Sequence, residues 1–128
     1  MNGTLQVMLK LWNMDTMDWL GYDNLEKYSY HHIIKKSEGG LVKINNGAVL
    51  HQSSHSYLHT IEYYDLDKYI FLNTILKAIN EQKTMPSINQ LEQVKLVLKE
   101  FQNEYEGKLS HKNKLIIKKE YMIWKKKV

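Results

Sequence analysis

The chain contains no cysteine, and none of its 18 basic residues is arginine. The first absence excludes disulfides and removes thiolates from any metal site. The second leaves lysine, a point charge without a bidentate fork, as the only permanently cationic side chain available to meet a phosphate. No apolar run approaches the roughly 18 residues that a membrane span needs. The N-terminus shows no basic segment leading into an apolar core, so no signal peptide is expected either. These absences point to a soluble, cytoplasmic protein with no membrane partner.

What is present suits a folded domain: 43% hydrophobic and 25% charged residues over 128 positions are enough for one domain with a modest core. Charge is unevenly spread. From Lys108 to Val128 eight lysines stand against one acidic residue, whereas residues 1–107 carry ten lysines against 13 acidic residues. The formal net charge of +4 is therefore a property of the tail, and the chain divides into a domain over 1–107 and a basic tail over 108–128. In that tail Leu115-Ile116-Ile117 and Tyr121-Met122-Ile123-Trp124 alternate with lysines, as in a strand or helix with one basic face. Lys118, Lys119, Lys125, Lys126 and Lys127 would attract phosphate backbones without reading sequence. A solvated tail and a membrane-surface segment are the alternatives.

The rest of the chain is organised around residues 28–59, which hold five of the six histidines. His55 and His59 are four residues apart, one turn on one face of a helix that Ser53 or Ser54 is placed to cap. Two imidazoles so spaced can grip one cation, although such pairs more often pack or face solvent. Upstream, Tyr28 to Ile33 alternates and is rich in aromatic and β-branched residues, as a half-buried strand is, with His31 and His32 on opposite sides. Glu38-Gly39-Gly40 breaks that strand, and Asn46-Gly47 is a turn signal before Ala48-Val49-Leu50. One strand histidine and two helix histidines would give three protein ligands and leave positions open, the arrangement of a catalytic rather than a structural site.

His31-His32-Ile33, Gly39-Gly40, Asn46, Leu50, and His55 with His59 resemble the HNH (ββα-metal) nuclease motif. The likeness is greatest to the colicin-type DNases, which use histidine at every metal position. It extends more loosely to small HNH-type proteins of phages and mobile elements in low-GC Gram-positive bacteria. The resemblance implies that His31, His55 and His59 bind one divalent metal, that His32 is the general base that activates water, and that Asn46 braces the loop. It further implies DNA, double-stranded, as substrate, with a bacterial or phage-infected cell as setting. Two departures stand out. His51 and Ser54 occupy places where many relatives carry a cysteine pair of a structural zinc knuckle, so packing is expected to hold the motif. Without arginine, Lys35 or Lys36 would have to contact the phosphate. His51 is treated as a DNA-facing or outer residue of the site, His111 as a surface residue, and Glu62 as a partner able to orient an imidazole.

Elsewhere the periodicity predicts helices. Leu5, Met8, Leu9 and Trp12 place an amphipathic helix over 4–12, expected to cover the motif. Trp19, Leu20, Tyr22 and Leu25 are assigned to the core. Asp65 or Asp67 would cap a helix to about Glu81 that buries Tyr69, Leu72, Leu76 and Ile79. Thr84-Met85-Pro86 ends it, and Ser87 with Gln90 forms a capping box for a last helix carrying Leu91, Val94, Leu98 and Phe101. The expected fold is α+β and mainly helical: a ββα-metal core over about 28–63, an N-terminal helix and a C-terminal helical hairpin.

Three imidazoles suit Zn²⁺ or Ni²⁺ by ligand softness, with Mg²⁺ or Mn²⁺ as alternatives in turnover. The expected activity is phosphodiester hydrolysis, and a double-strand cut would need a homodimer or two visits. An inactive DNA-binding or phage accessory protein and a metal-stabilised structural domain are the competing readings.

Overall fold

Leu5, Met8 and Trp12 fall on one side of a helical turn, and in the computed structural model, which describes residues 3–108, all three are buried at helix α1 (Gly3–Leu11) and just past its end. The Trp12 indole donates to the Ile79 carbonyl at 3.1 Å and its ring lies 4.9 Å from that of Trp19. The end of α1 is thereby tied to a residue 67 positions further along the chain. Asn13 takes a left-handed conformation, φ 54°, just past the helix end, as residues that terminate helices often do.

The segment that follows has little regular structure and is arranged around one buried carboxylate. Asp18 Oδ1 accepts from the amides of Leu20 and Tyr22, both at 3.0 Å, and Oδ2 accepts from the His51 amide at 2.9 Å. The Ser54 hydroxyl bonds to it as well. Burial pushes the Asp18 carboxyl above its ordinary value, and the His51, Ser54 and Tyr22 bonds pull it back. Trp19, Leu20 and Tyr22 are in the core as expected, but Leu25 is 90% exposed. It sits in a turn where the Asn24 side chain bonds its amide, with no element to pack against.

Strand β1 (Tyr28–His32) pairs antiparallel with β2 (Gly47–His51), His31 opposite Ala48 and His32 opposite Gly47. Tyr30 packs so closely over Gly47 that a Cβ there would sit 2.3 Å from its ring. Helix α2 (Gln52–Tyr64) starts at the residue after β2 with no loop between. Its start differs from expectation. Neither Ser53 nor Ser54 is the cap: both lie in the first turn, where the Glu26 carboxylate accepts from the Ser53 amide and hydroxyl. Two carboxylates from the preceding segment, Glu26 and Asp18, thus stand at the N-terminal end of α2, where the helix dipole favours negative charge.

Helix α3 (Leu66–Gln82) is capped by Asp65, which accepts from the Lys68 amide at 3.2 Å, and α4 (Ile88–Tyr105) opens on the Ser87–Gln90 capping box. The predicted buried positions on both helices are buried, joined by Ile75 and Val97. Helix α3 packs on both α2 and α4, and Asn80 on α3 donates to the carbonyls of Ile44 and Gly47. The architecture is α+β and mainly helical, with a two-stranded antiparallel sheet. No helix among the described residues is long and apolar enough to cross a membrane. The tail from Leu109 onward, with His111, Lys118, Lys119, Lys125, Lys126 and Lys127, lies outside the described residues.

Candidate metal centre

Alternation along β1 turns His31 to the side on which α2 runs, and the direct passage from β2 into α2 fixes where the first helical turns fall. His55 and His59 then face His31. One ring nitrogen from each of the three lies within 4.8 Å of one from each of the others. Ring centroids are 5.3 Å apart for His31 and His55, 5.9 Å for His31 and His59, and 4.9 Å for His55 and His59. In a tetrahedral zinc site with bonds of about 2.0–2.1 Å the ligand atoms stand about 3.4 Å apart, so modest side-chain rotation closes the set. The three could hold a metal ion. Exposure rises across the cluster, from buried His31 through His55 to His59 with half its side chain in solvent. The site is open on the His59 side.

Electrostatics favour ligation. Burial holds His31 down to about 4, although the Asn73 hydrogen bond works the other way and the neighbouring imidazoles push further down. Burial, then His59 and His32, hold His55 down to about 4. Both rings are neutral at pH 7, and a neutral imidazole is the form that binds metal.

Each ring is also anchored by an acceptor outside the cluster. Asn73 Oδ1 lies 2.8 Å from His31 Nε2, Ser29 Oγ 2.9 Å from His55 Nδ1, and Glu62 Oε1 3.1 Å from His59 Nδ1. Such outer partners orient the rings of metal-binding histidines. Glu62 carries two loads, because its other oxygen pairs with Lys35. Burial alone would raise the Glu62 carboxyl, but the Lys35 and His59 bonds outweigh it and leave the group below its ordinary value.

His32 points elsewhere. Its ring packs edge-on against Tyr30 at 4.9 Å and lines a cleft of about 310 Å³ with Lys36, Gly39, Gly40, Leu41 and Val42. Its Nε2 is enclosed and has no hydrogen-bond partner among the described residues. The loop on the cleft's far side is held by Asn46, whose Oδ1 accepts from the Ile34 amide at 2.7 Å while Nδ2 donates to the carbonyls of Ile34 and Leu41. Gly40 permits the close return of that loop, since a Cβ there would lie 1.8 Å from the Ile34 carbonyl oxygen.

Two expected phosphate or DNA contacts are placed differently. Lys35 is paired with Glu62 and lies over the Tyr69 ring at 5.7 Å, so of the two lysines only Lys36 lines the cleft. His51 is not on the surface. It is buried, stacked on Tyr28 at 4.5 Å, with Nδ1 3.1 Å from the Glu26 carbonyl and Nε2 2.6 Å from that of Thr16. Buried, with backbone carbonyls at both ring nitrogens, it has no exposed face to offer DNA. His51 and Ser54 both serve the Asp18 hub, so a buried polar network, and not packing alone, holds this part of the chain.

Ser29 and Asn73 were not singled out from the sequence. Ser29 had a signal, lying two residues before His31 and hence on the same strand face. Asn73 had a weaker one: a polar residue four positions after Tyr69, in the stripe that α3 turns inward. Comparison with protein-family models, curated proteins and solved structures returned no match.

Proposed function

We propose that the chain is a metal-dependent endonuclease of the HNH (ββα-metal) kind, hydrolysing phosphodiester bonds in DNA. The observation that carries this reading is the meeting of His31, His55 and His59. It is supported by His32 at the next position of the strand and by the loop that Asn46 braces across the cleft. A divalent ion in the cluster would stabilise charge on the scissile phosphate and the leaving oxygen. His32 takes the proton from the attacking water, a role typically worth about 10²- to 10⁴-fold in rate. Lys36 offers its charge to the substrate phosphate from the cleft wall, while Lys35 stays with Glu62 and helps to orient His59. The lysine-rich tail adds salt-sensitive, sequence-independent attraction to the duplex.

The test is supercoiled plasmid incubated with purified protein in Mg²⁺, Mn²⁺, Ni²⁺ or Zn²⁺, with and without EDTA. Nicking that EDTA abolishes and that His32→Ala loses while still binding zinc is the expected result. Intact plasmid under every metal removes the reading. The enclosure of His32 Nε2 favours a second one, a metal-stabilised structural domain, which would show zinc-dependent melting and no cleavage. The absence of arginine favours a third, an inactive DNA-binding protein, which would shift the plasmid without cutting it.

A further inference from the structure

Asn73 lies on α3, outside the strand–strand–helix segment, yet makes the shortest polar contact to the histidine cluster. Its Nδ2 donates to the Ile33 carbonyl at 2.9 Å. A carbonyl oxygen only accepts, so the amide nitrogen must face Ile33 and the amide oxygen must face His31. An oxygen in that position requires the hydrogen on His31 Nε2. Neutral imidazole carries one N–H, which leaves the lone pair of His31 on Nδ1.

The other two rings resolve by the same reasoning, with the opposite outcome. The Ser29 hydroxyl donates to the Leu50 carbonyl at 3.0 Å, so its oxygen accepts from His55 Nδ1 and the free lone pair is on Nε2. The Glu62 carboxylate accepts from His59 Nδ1, again leaving Nε2. We propose that the cluster takes its ion through unlike nitrogens, Nδ1 of His31 and Nε2 of His55 and His59, and that Asn73 is the positioning residue that selects Nδ1. This rests on the three histidines being a metal site, and not on hydrolysis.

Two physical consequences follow. The ion approaches His31 from the backbone side of its ring, so His31 cannot exchange roles with the helix histidines. The acceptor on Asn73 matters for metal, whereas its donor to Ile33 matters only for holding α3 to β1. Asn73→Asp keeps the acceptor and loses the donor; Asn73→Leu loses both.

The experiment uses the full chain labelled with ¹⁵N. In the metal-free protein at pH 7.5, long-range ¹H–¹⁵N spectra of the rings should show His31 protonated at Nε2 and His55 and His59 protonated at Nδ1. Added Zn²⁺ should move the resonances of His31 Nδ1 and of Nε2 in the other two. Zinc titrations should then show Asn73→Leu weakened about 10- to 100-fold and Asn73→Asp close to the wild type, while the two variants melt at similarly lowered temperatures. A purely structural Asn73 would weaken both alike, and that result overturns the inference. His31 protonated at Nδ1 in the wild type also overturns it, without requiring any variant to fold. A wild-type chain that binds no zinc overturns the metal site and this inference together, whereas zinc bound equally by wild type and Asn73→Leu overturns the inference alone.

Discussion

Replacing Asp18 by alanine should unsettle this domain more than deleting most of its apolar side chains. The carboxylate is buried and accepts from the amides of Leu20, Tyr22 and His51 and from the Ser54 hydroxyl. Asp18→Ala strands those four donors where water does not reach, at about 1–3 kcal/mol each. Relaxation, and relief from burying a charge, offset part of that cost, leaving a net loss on the order of 4 kcal/mol. A domain of this size has about 5–15 kcal/mol in total. With a urea slope of about 2 kcal/mol per molar, the midpoint should fall by roughly 2 M. Buried Trp12 and Trp19 give a fluorescence signal for the transition. A midpoint lowered by less than about 0.5 M would mean that apolar packing alone holds residues 16–28 against β2 and α2, and that the Asp18 hub is incidental.

The remaining predictions concern the histidines and the loop. His55→Ala should abolish any zinc-induced rise in melting temperature, while His32→Ala should keep it; loss of the rise in both would place His32 among the ligands. Stability of the metal-free chain should fall with acid, because His31 and His55 sit near 4 when folded against 6.5 when free. Between those values the unfolded chain holds the extra protons, so stability is complete above about pH 6.5 and is lost toward pH 4. For His31 the loss is on the order of 3 kcal/mol; His55, reached by solvent, adds less. Urea midpoints at pH 7.5, 5.5 and 4.5 measure it, and equal midpoints would contradict it. Asn46→Ala removes three hydrogen bonds to the loop and should cost about 2–3 kcal/mol, read as an earlier urea transition with faster proteolysis within residues 34–42.

How much could be read in advance depended on how far apart the partners lie. Helices α3 and α4 were legible because their caps are local: Asp65 reaches the amide of Lys68, and Ser87 and Gln90 exchange bonds across one turn. That one strand histidine could join His55 and His59 was legible from strand alternation and one helical turn, but the choice of His31 over His32 rests only on the family resemblance. The start of α2 was not, because its carboxylates come from Glu26 and Asp18, far back in the chain, while Ser53 and Ser54 have the side chains of good local caps. From sequence His51 reads as a DNA-facing or outer residue of the site for the same reason: the carbonyls that enclose it belong to Thr16 and Glu26. Asn73 meets His31 across 42 residues, and only the packing of α3 on the sheet discloses it.

The unbroken passage from β2 into α2 has a bearing on assembly. Because side chains alternate along a strand, sliding β1 by one residue against β2 would exchange His31 for His32 on the side facing α2, while His55 and His59 stayed put. The misaligned pair would present its imidazoles in the wrong order, with Asn73 facing the wrong ring. A cation captured by all three histidines would therefore reward one alignment of the hairpin, acting as a gauge of strand pairing during folding.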